Sequence, residues 1–87
     1  MPGSTAVRAV AINPKQPEYV YAAGAGGVFP SQDAGQTWGP PGIGLGDAAV
    51  VALTLDPGQP DHLYAATMDG RLFASEDAGK SWRPLPG

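Results

Sequence analysis

The sequence predicts an all-β protein made of two copies of one four-stranded unit. Three observations carry that prediction. The stretch SQDAGQTW at residues 31–38 returns as SEDAGKSW at 75–82. Apolar runs rich in β-branched and aromatic residues alternate with Pro and Gly, the punctuation of short strands. No segment keeps a 3.6-residue apolar period over a helix length.

Laid against itself, residues 7–40 align with 50–84 at about sixteen identical positions, with one extra residue in the second copy near Asp69 to Arg71. A fixed period of roughly 20 to 50 residues is the mark of repeat architectures. Each copy opens with an apolar run (AVRAVAI, VVALTL), passes a Pro-bounded loop (NPKQPE, DPGQPD), and continues through YVYAA or HLYAAT. A Gly-rich turn, the run GVFPS or RLFAS and the recurring box follow, and the closing Trp begins a fourth strand. The implied units are 6–42, an interblade loop 43–49, and 50–87.

The opening strands are apolar on nearly every residue rather than alternating, which requires cover on both faces. Radially stacked sheets, the blades of a propeller, supply that cover. Two blades cannot close a ring, since rings use about four to eight. The expected fold is therefore a partial propeller or part of an oligomeric ring, completed by self-association as a trimer or tetramer, or by neighbouring blades of a longer chain.

Composition removes several function classes. With 87 residues the chain buries only about 60% of its unfolded surface. Cys is absent, which excludes disulfides and thiolate zinc sites. A net charge of -3 with five scattered Lys and Arg gives no basic stripe, so nucleic acid is not an expected partner. No apolar run approaches the roughly 18 residues of a span, so no membrane insertion is expected. The opening MPGSTAVRAV lacks the order of a signal peptide, and the compartment stays unassigned. No cofactor or metal site is expected: a calcium loop needs several alternating oxygen ligands, and the box offers one carboxylate.

The box suits a turn. Ser31 or Ser75 and Asp33 or Asp77 are short acceptors for backbone N–H groups two residues on, as in Asx and Ser turns, and Gly35 or Gly79 supplies positive φ. Thr37 or Ser81 can hold the Asp carboxylate, while Trp38 or Trp82 anchors the turn through apolar area. An acid/base role for Asp33 with Asp77 conflicts with geometry, because a glycosidase pair stands about 5 to 10 Å apart and these lie in separate turns.

The pattern S-x-D-x-G-x-[TS]-W resembles the Asp-box, or BNR repeat, of β-propellers such as sialidases, xyloglucanase-type glycoside hydrolases, sortilin-like receptors and photosystem assembly factors. The resemblance implies that the box joins the third strand to the fourth, opposite the usual ligand-binding face. The candidate ligand-face loops are then the second-to-third strand turns and the interblade loop, with Asp47, Met68, Asp69 and Arg71. In the xyloglucanase-like enzymes a catalytic Asp precedes the third strand in a T-D-x-G-G-x-Y-R turn. Gly26, Gly27 and Phe29 match it here, but the acid position falls on Gly24, and in the second copy on Met68, one residue before Asp69. Asp69-Gly70 fits a hairpin turn better than a displaced acid. Sialidase chemistry would need an arginine triad, and Arg8, Arg71 and Arg83 occupy unrelated repeat positions. The single His, His62, has Tyr19 as its counterpart and fits a strand opening. The resulting expectation is a non-enzymatic module, a scaffold or binding surface for a carbohydrate or protein ligand. The alternatives are a glycoside hydrolase fragment whose acids lie in absent blades, and an assembly or docking factor for a membrane complex.

Overall fold

A computed structural model describes residues 7–45 and 49–85. Among these there are seven strands and no helix, hence no helix long and apolar enough to cross a membrane. The first antiparallel sheet joins β1 (Val7–Ile12), β2 (Val20–Gly24) and β3 (Gly27–Ser31) in that order. The second joins β4 (Val50–Asp56), β5 (Gln59–Thr67), β6 (Leu72–Ser75) and β7 (Arg83–Pro84). Both are meanders, and in both the first strand carries a register shift at its second residue, between Val7 and Ala9 and between Val50 and Ala52. The duplication therefore extends to backbone irregularities.

The first sheet departs from the expected four strands: it has three. The physical reason lies in Pro40 and Pro41, which have no N–H to give to a ladder. Residues 39–42 still run beside β3, with the Gly39 N–H donating to the Pro30 carbonyl at 2.8 Å and the Gly42 N–H to that of Val28 at 3.3 Å. In the second copy Leu85 stands where Pro41 stands in the first, and its N–H donates to the Leu72 carbonyl at 2.8 Å. That substitution lets β7 form, although it is only two residues long.

Register divides each sheet into two faces. Directly paired residues share a face, so Val10, Ala22 and Phe29 lie together, with Ile12 and Val20 one pair further along. Their repeat counterparts Leu53, Ala65, Phe73, Leu55 and Leu63 make the matching, front face of the second sheet. The back face of the first sheet carries Ala9, Ala11, Tyr21, Ala23 and Val28. The core forms where the front of the second sheet meets the back of the first. Leu63, Ala65, Phe73 and Trp82 pack with Tyr21, Ala23 and Val28, and Leu45 and Val50 close the cluster.

The segment after Trp38 ties the two sheets together. The Ile43 N–H donates to the Lys80 carbonyl at 3.1 Å, the Trp82 N–H donates to the Ile43 carbonyl at 2.8 Å, and Ile43 forms a parallel bridge with Ser81. Leu45 then inserts into the core at 4% exposure.

Candidate functional site

Each box is a closed hydrogen-bonded turn. In the first, the Ser31 hydroxyl donates to Asp33 Oδ1 at 2.8 Å and accepts from the Gly35 N–H at 2.8 Å. Asp33 Oδ1 accepts the Thr37 N–H at 2.8 Å, and Oδ2 accepts the Thr37 hydroxyl. The second copy repeats every partner: Ser75 to Asp77 at 2.8 Å, Gly79 N–H to Ser75 at 2.9 Å, Ser81 N–H to Asp77 at 2.9 Å, and the Ser81 hydroxyl to Asp77 at 2.5 Å. The Thr37 hydroxyl and N–H, then Ser31, hold the Asp33 carboxyl down to about 2, and Ser81 followed by Ser75 does the same for Asp77. Bonds to the ionised form favour it. Each aspartate is therefore a fixed anion within its own turn, and box two sits between β6 and β7.

Two features of the boxes are not evident from residue type. Positive φ begins one residue before the glycine: Ala34 and Ala78 both sit at 61°, ahead of Gly35 at 91° and Gly79 at 81°. The left-handed region costs a residue with a Cβ about 1 to 2 kcal/mol. The N–H groups of Ala34 and Ala78 donate to Glu18 and Asp61 carbonyls at 2.8 and 2.9 Å, pinning each box to the start of its second strand. The indole N–H groups of Trp38 and Trp82 are buried and meet no acceptor among the described residues, and both rings contribute mainly apolar area.

At the opposite end lie the second-to-third strand turns. Thr67 organises the second: its hydroxyl donates to Asp69 Oδ1 and accepts the Arg71 N–H at 3.1 Å. Arg71 Nε contacts Asp69 Oδ2 at 3.0 Å, and its guanidinium stands 5.4 Å from the Phe73 ring centre. The Thr67 hydroxyl first, and the Arg71 charge after it, hold the Asp69 carboxyl below its ordinary range. Met68 projects at 64% exposure, and its N–H ties the turn to the Ala49 carbonyl at 2.8 Å. Asp47 lies outside the described residues. Met68, Asp69 and Arg71 thus share one turn, whereas the aspartates of the two boxes stand apart from it at the other end of the sheets.

A cleft of about 630 Å³ opens at the box end, between the two first-to-second strand loops. Asn13, Lys15 and Gln16 line it from one copy, and Asp61, His62 and Glu76 from the other. Asn13 Oδ1 shapes its own loop by accepting the Lys15 and Gln16 N–H groups at 2.9 and 3.2 Å, and Lys15 Nζ reaches the Gly58 carbonyl at 3.3 Å. Alignment of the copies could not reveal this cleft, because its walls come from both. The signal available was that both loops are polar and occupy the same repeat position. His62 lines the cleft, but among the described residues no group of three or more His, Cys, Asp or Glu is placed to hold a metal. Burial first, then Asp61 and Tyr19, push the Tyr21 phenol above its ordinary range.

No family model matches the sequence, and no curated protein matches it. Solved structures do. YCF48 from Cyanidioschyzon merolae superposes over 100% of this chain with a TM-score of 0.80 at 18% identity, and YCF48 bound to D1 peptide with 0.79 at 18%. An ancestral GH74 enzyme matches over 95% of this chain with a TM-score of 0.77 at 19% identity. The GH74 xyloglucanase from Xanthomonas campestris matches over 97%, with 0.70 at 19%. The chain spans 26% of the first YCF48 chain and 13% of the ancestral enzyme. These likenesses establish the fold: two successive propeller blades.

Proposed function

We propose that the chain is a non-catalytic propeller segment of the Asp-box type, whose two boxes stiffen a scaffold that presents loops to a protein or peptide ligand. One observation carries this reading. The carboxylates that the sequence offers for acid/base work, Asp33, Asp69 and Asp77, are all held as anions by partners in their own turns. A general acid needs its pKa raised toward the working pH, and these are shifted the opposite way.

The choice of ligand class is supported by the YCF48 structure bound to D1 peptide, which makes an assembly or docking role the nearer one. The likeness to GH74 enzymes supports the second reading, a glycosidase segment whose acids lie in other blades. Incubation with xyloglucan and a parallel D1-peptide titration followed by amide NMR separate the two. The expected result is no sugar release, with peptide-induced shifts confined to the turns at 24–27 and 67–71. Sugar release that disappears in Asp69→Asn would overturn the proposal.

A further inference from the structure

The same residues occur twice in this chain and meet different surroundings. Tyr21, on the back of the first sheet, is 3% exposed, while its counterpart Tyr64, on the back of the second, is 42% exposed. Val28 is fully buried and its counterpart Leu72 is 48% exposed. The asymmetry reverses on the front faces. Leu53 and Leu55 pack against the core, whereas Val10 and Ile12 stand 53% and 54% exposed. Among the described residues one front and one back are joined to each other, and the other front and the other back carry exposed apolar side chains.

We propose that the open front of the first sheet receives the open back of the second sheet from another copy of this chain, reproducing the internal junction between molecules. The inference rests on the propeller-blade fold and on the internal junction as template. There the front of one repeat already fits the back of the other, with Leu63, Phe73 and Trp82 against Tyr21 and Val28. The open front offers Val20, Phe29 and Trp38 at the corresponding positions, and the open back offers Tyr64 and Leu72. The template is specific at the box. A Cβ on Gly79 would lie 3.8 Å from the Tyr21 ring, so the ring rests on that glycine. Its counterpart Gly35 has only Trp38 within the same reach, which leaves the matching place for Tyr64 of the second copy.

The contact is heterologous: front meets back, never front meets front. Such an interface does not stop at two copies but continues into a ring where its rotation closes and into an open filament where it does not, and a contact between two fronts would be ruled out by the same pairing. The decisive experiment uses two exposed positions as blocks. Ile12→Glu closes the front, and Tyr64→Glu closes the back; Leu72→Lys serves as a second back-face variant, and circular dichroism confirms that each remains folded. By light scattering at micromolar concentration, the unmodified chain is expected well above dimer mass, and each blocked variant alone at the monomer mass of 8.8 kDa. An equimolar mixture of one front-blocked and one back-blocked variant retains a single compatible pair and is expected at about twice that mass. A mixture that stays at monomer mass overturns the proposal, as does a folded blocked variant that still dimerises alone, or an unmodified chain that stays monomeric. Xyloglucan turnover would overturn the non-catalytic reading and leave these masses unchanged, so the two can fail separately.

Discussion

Ile43 and Ser81 form a parallel β-bridge between the segment that leaves the first sheet and the box of the second. The bridge requires very close approach on both sides of Ile43. A Cβ on Gly42 would fall 2.0 Å from the Gly79 carbonyl oxygen, and one on Gly44 would fall 2.1 Å from that of Trp82. Both obstacles are backbone and cannot rotate away. Gly44 also sits at φ 103°, a conformation that side chains resist. Gly42→Ala and Gly44→Ala are each expected to cost about 1 to 3 kcal/mol, read as a lower urea midpoint, while Gly70→Ala should act through its positive φ alone, since nothing lies within 4 Å of its Cβ. Equal losses at all three positions would count against the bridge.

The boxes are expected to tolerate isosteric loss of charge better than loss of the acceptor. In Asp77→Ala the Ser81 N–H and hydroxyl and the Ser75 hydroxyl lose a shared partner. The expected cost is about 1 to 3 kcal/mol, toward the lower end because the turn is exposed to water. Asp77→Asn keeps one carbonyl acceptor and should lie between the two. Thermal melts of the three proteins test the order, and an Asn variant less stable than the Ala variant would contradict it.

Stability is expected to fall in acid. Asp33 and Asp77 are lowered in the folded chain from 3.8 to about 2, so the unfolded chain binds protons first as pH drops. The contribution is complete above the unfolded value and is lost progressively from about pH 4 down through about pH 2. Urea midpoints measured at intervals across that window should decline, and Asp33→Asn/Asp77→Asn should flatten the decline. A double variant with the parent slope would place the acid sensitivity elsewhere.

Ala34 and Ala78 offer the opposite experiment, a substitution that stabilises. Both pay for a left-handed φ of 61°, and glycine removes the steric cost while adding freedom to the unfolded chain. Ala34 is exposed and loses no packing, so Ala34→Gly is expected to gain about 0.5 to 1 kcal/mol. Ala78 packs against the core, so Ala78→Gly should gain less or nothing. Chemical denaturation of both variants decides; equal gains would mean that the Ala78 methyl contributes no packing.

Strand order and turn chemistry were legible in the sequence because they are local. Ser31, Asp33, Gly35 and Thr37 lie within seven residues, and their partners are one another. Asn13 and Asp56 cap the loops after the first strands in the same local way through their own side chains, a role the residue pattern alone did not single out. What sequence alone could not supply is neighbourhood. Tyr21 and Tyr64 are the same residue in the same repeat position, and only the stacking order decides that one is buried and the other exposed. The cleft lined by Asn13 and His62 escaped notice for the same reason, since each wall belongs to a different copy. The missing fourth strand of the first sheet was written in Pro40 and Pro41, but its weight depended on Leu85 providing in one copy the N–H that Pro41 withholds in the other.

Those prolines reach beyond strand count. An unpaired strand edge is a template on which foreign extended chains can grow, the route into fibrils. Here the outermost segment beside β3 carries two consecutive residues without an N–H, and the outermost strand of the second sheet ends in Pro84. Both outer rims are chemically blunted for β-augmentation, whereas the opposite edges, β1 and β4, contain no proline. Strand addition is therefore directed away from the outer rims and toward those two edges.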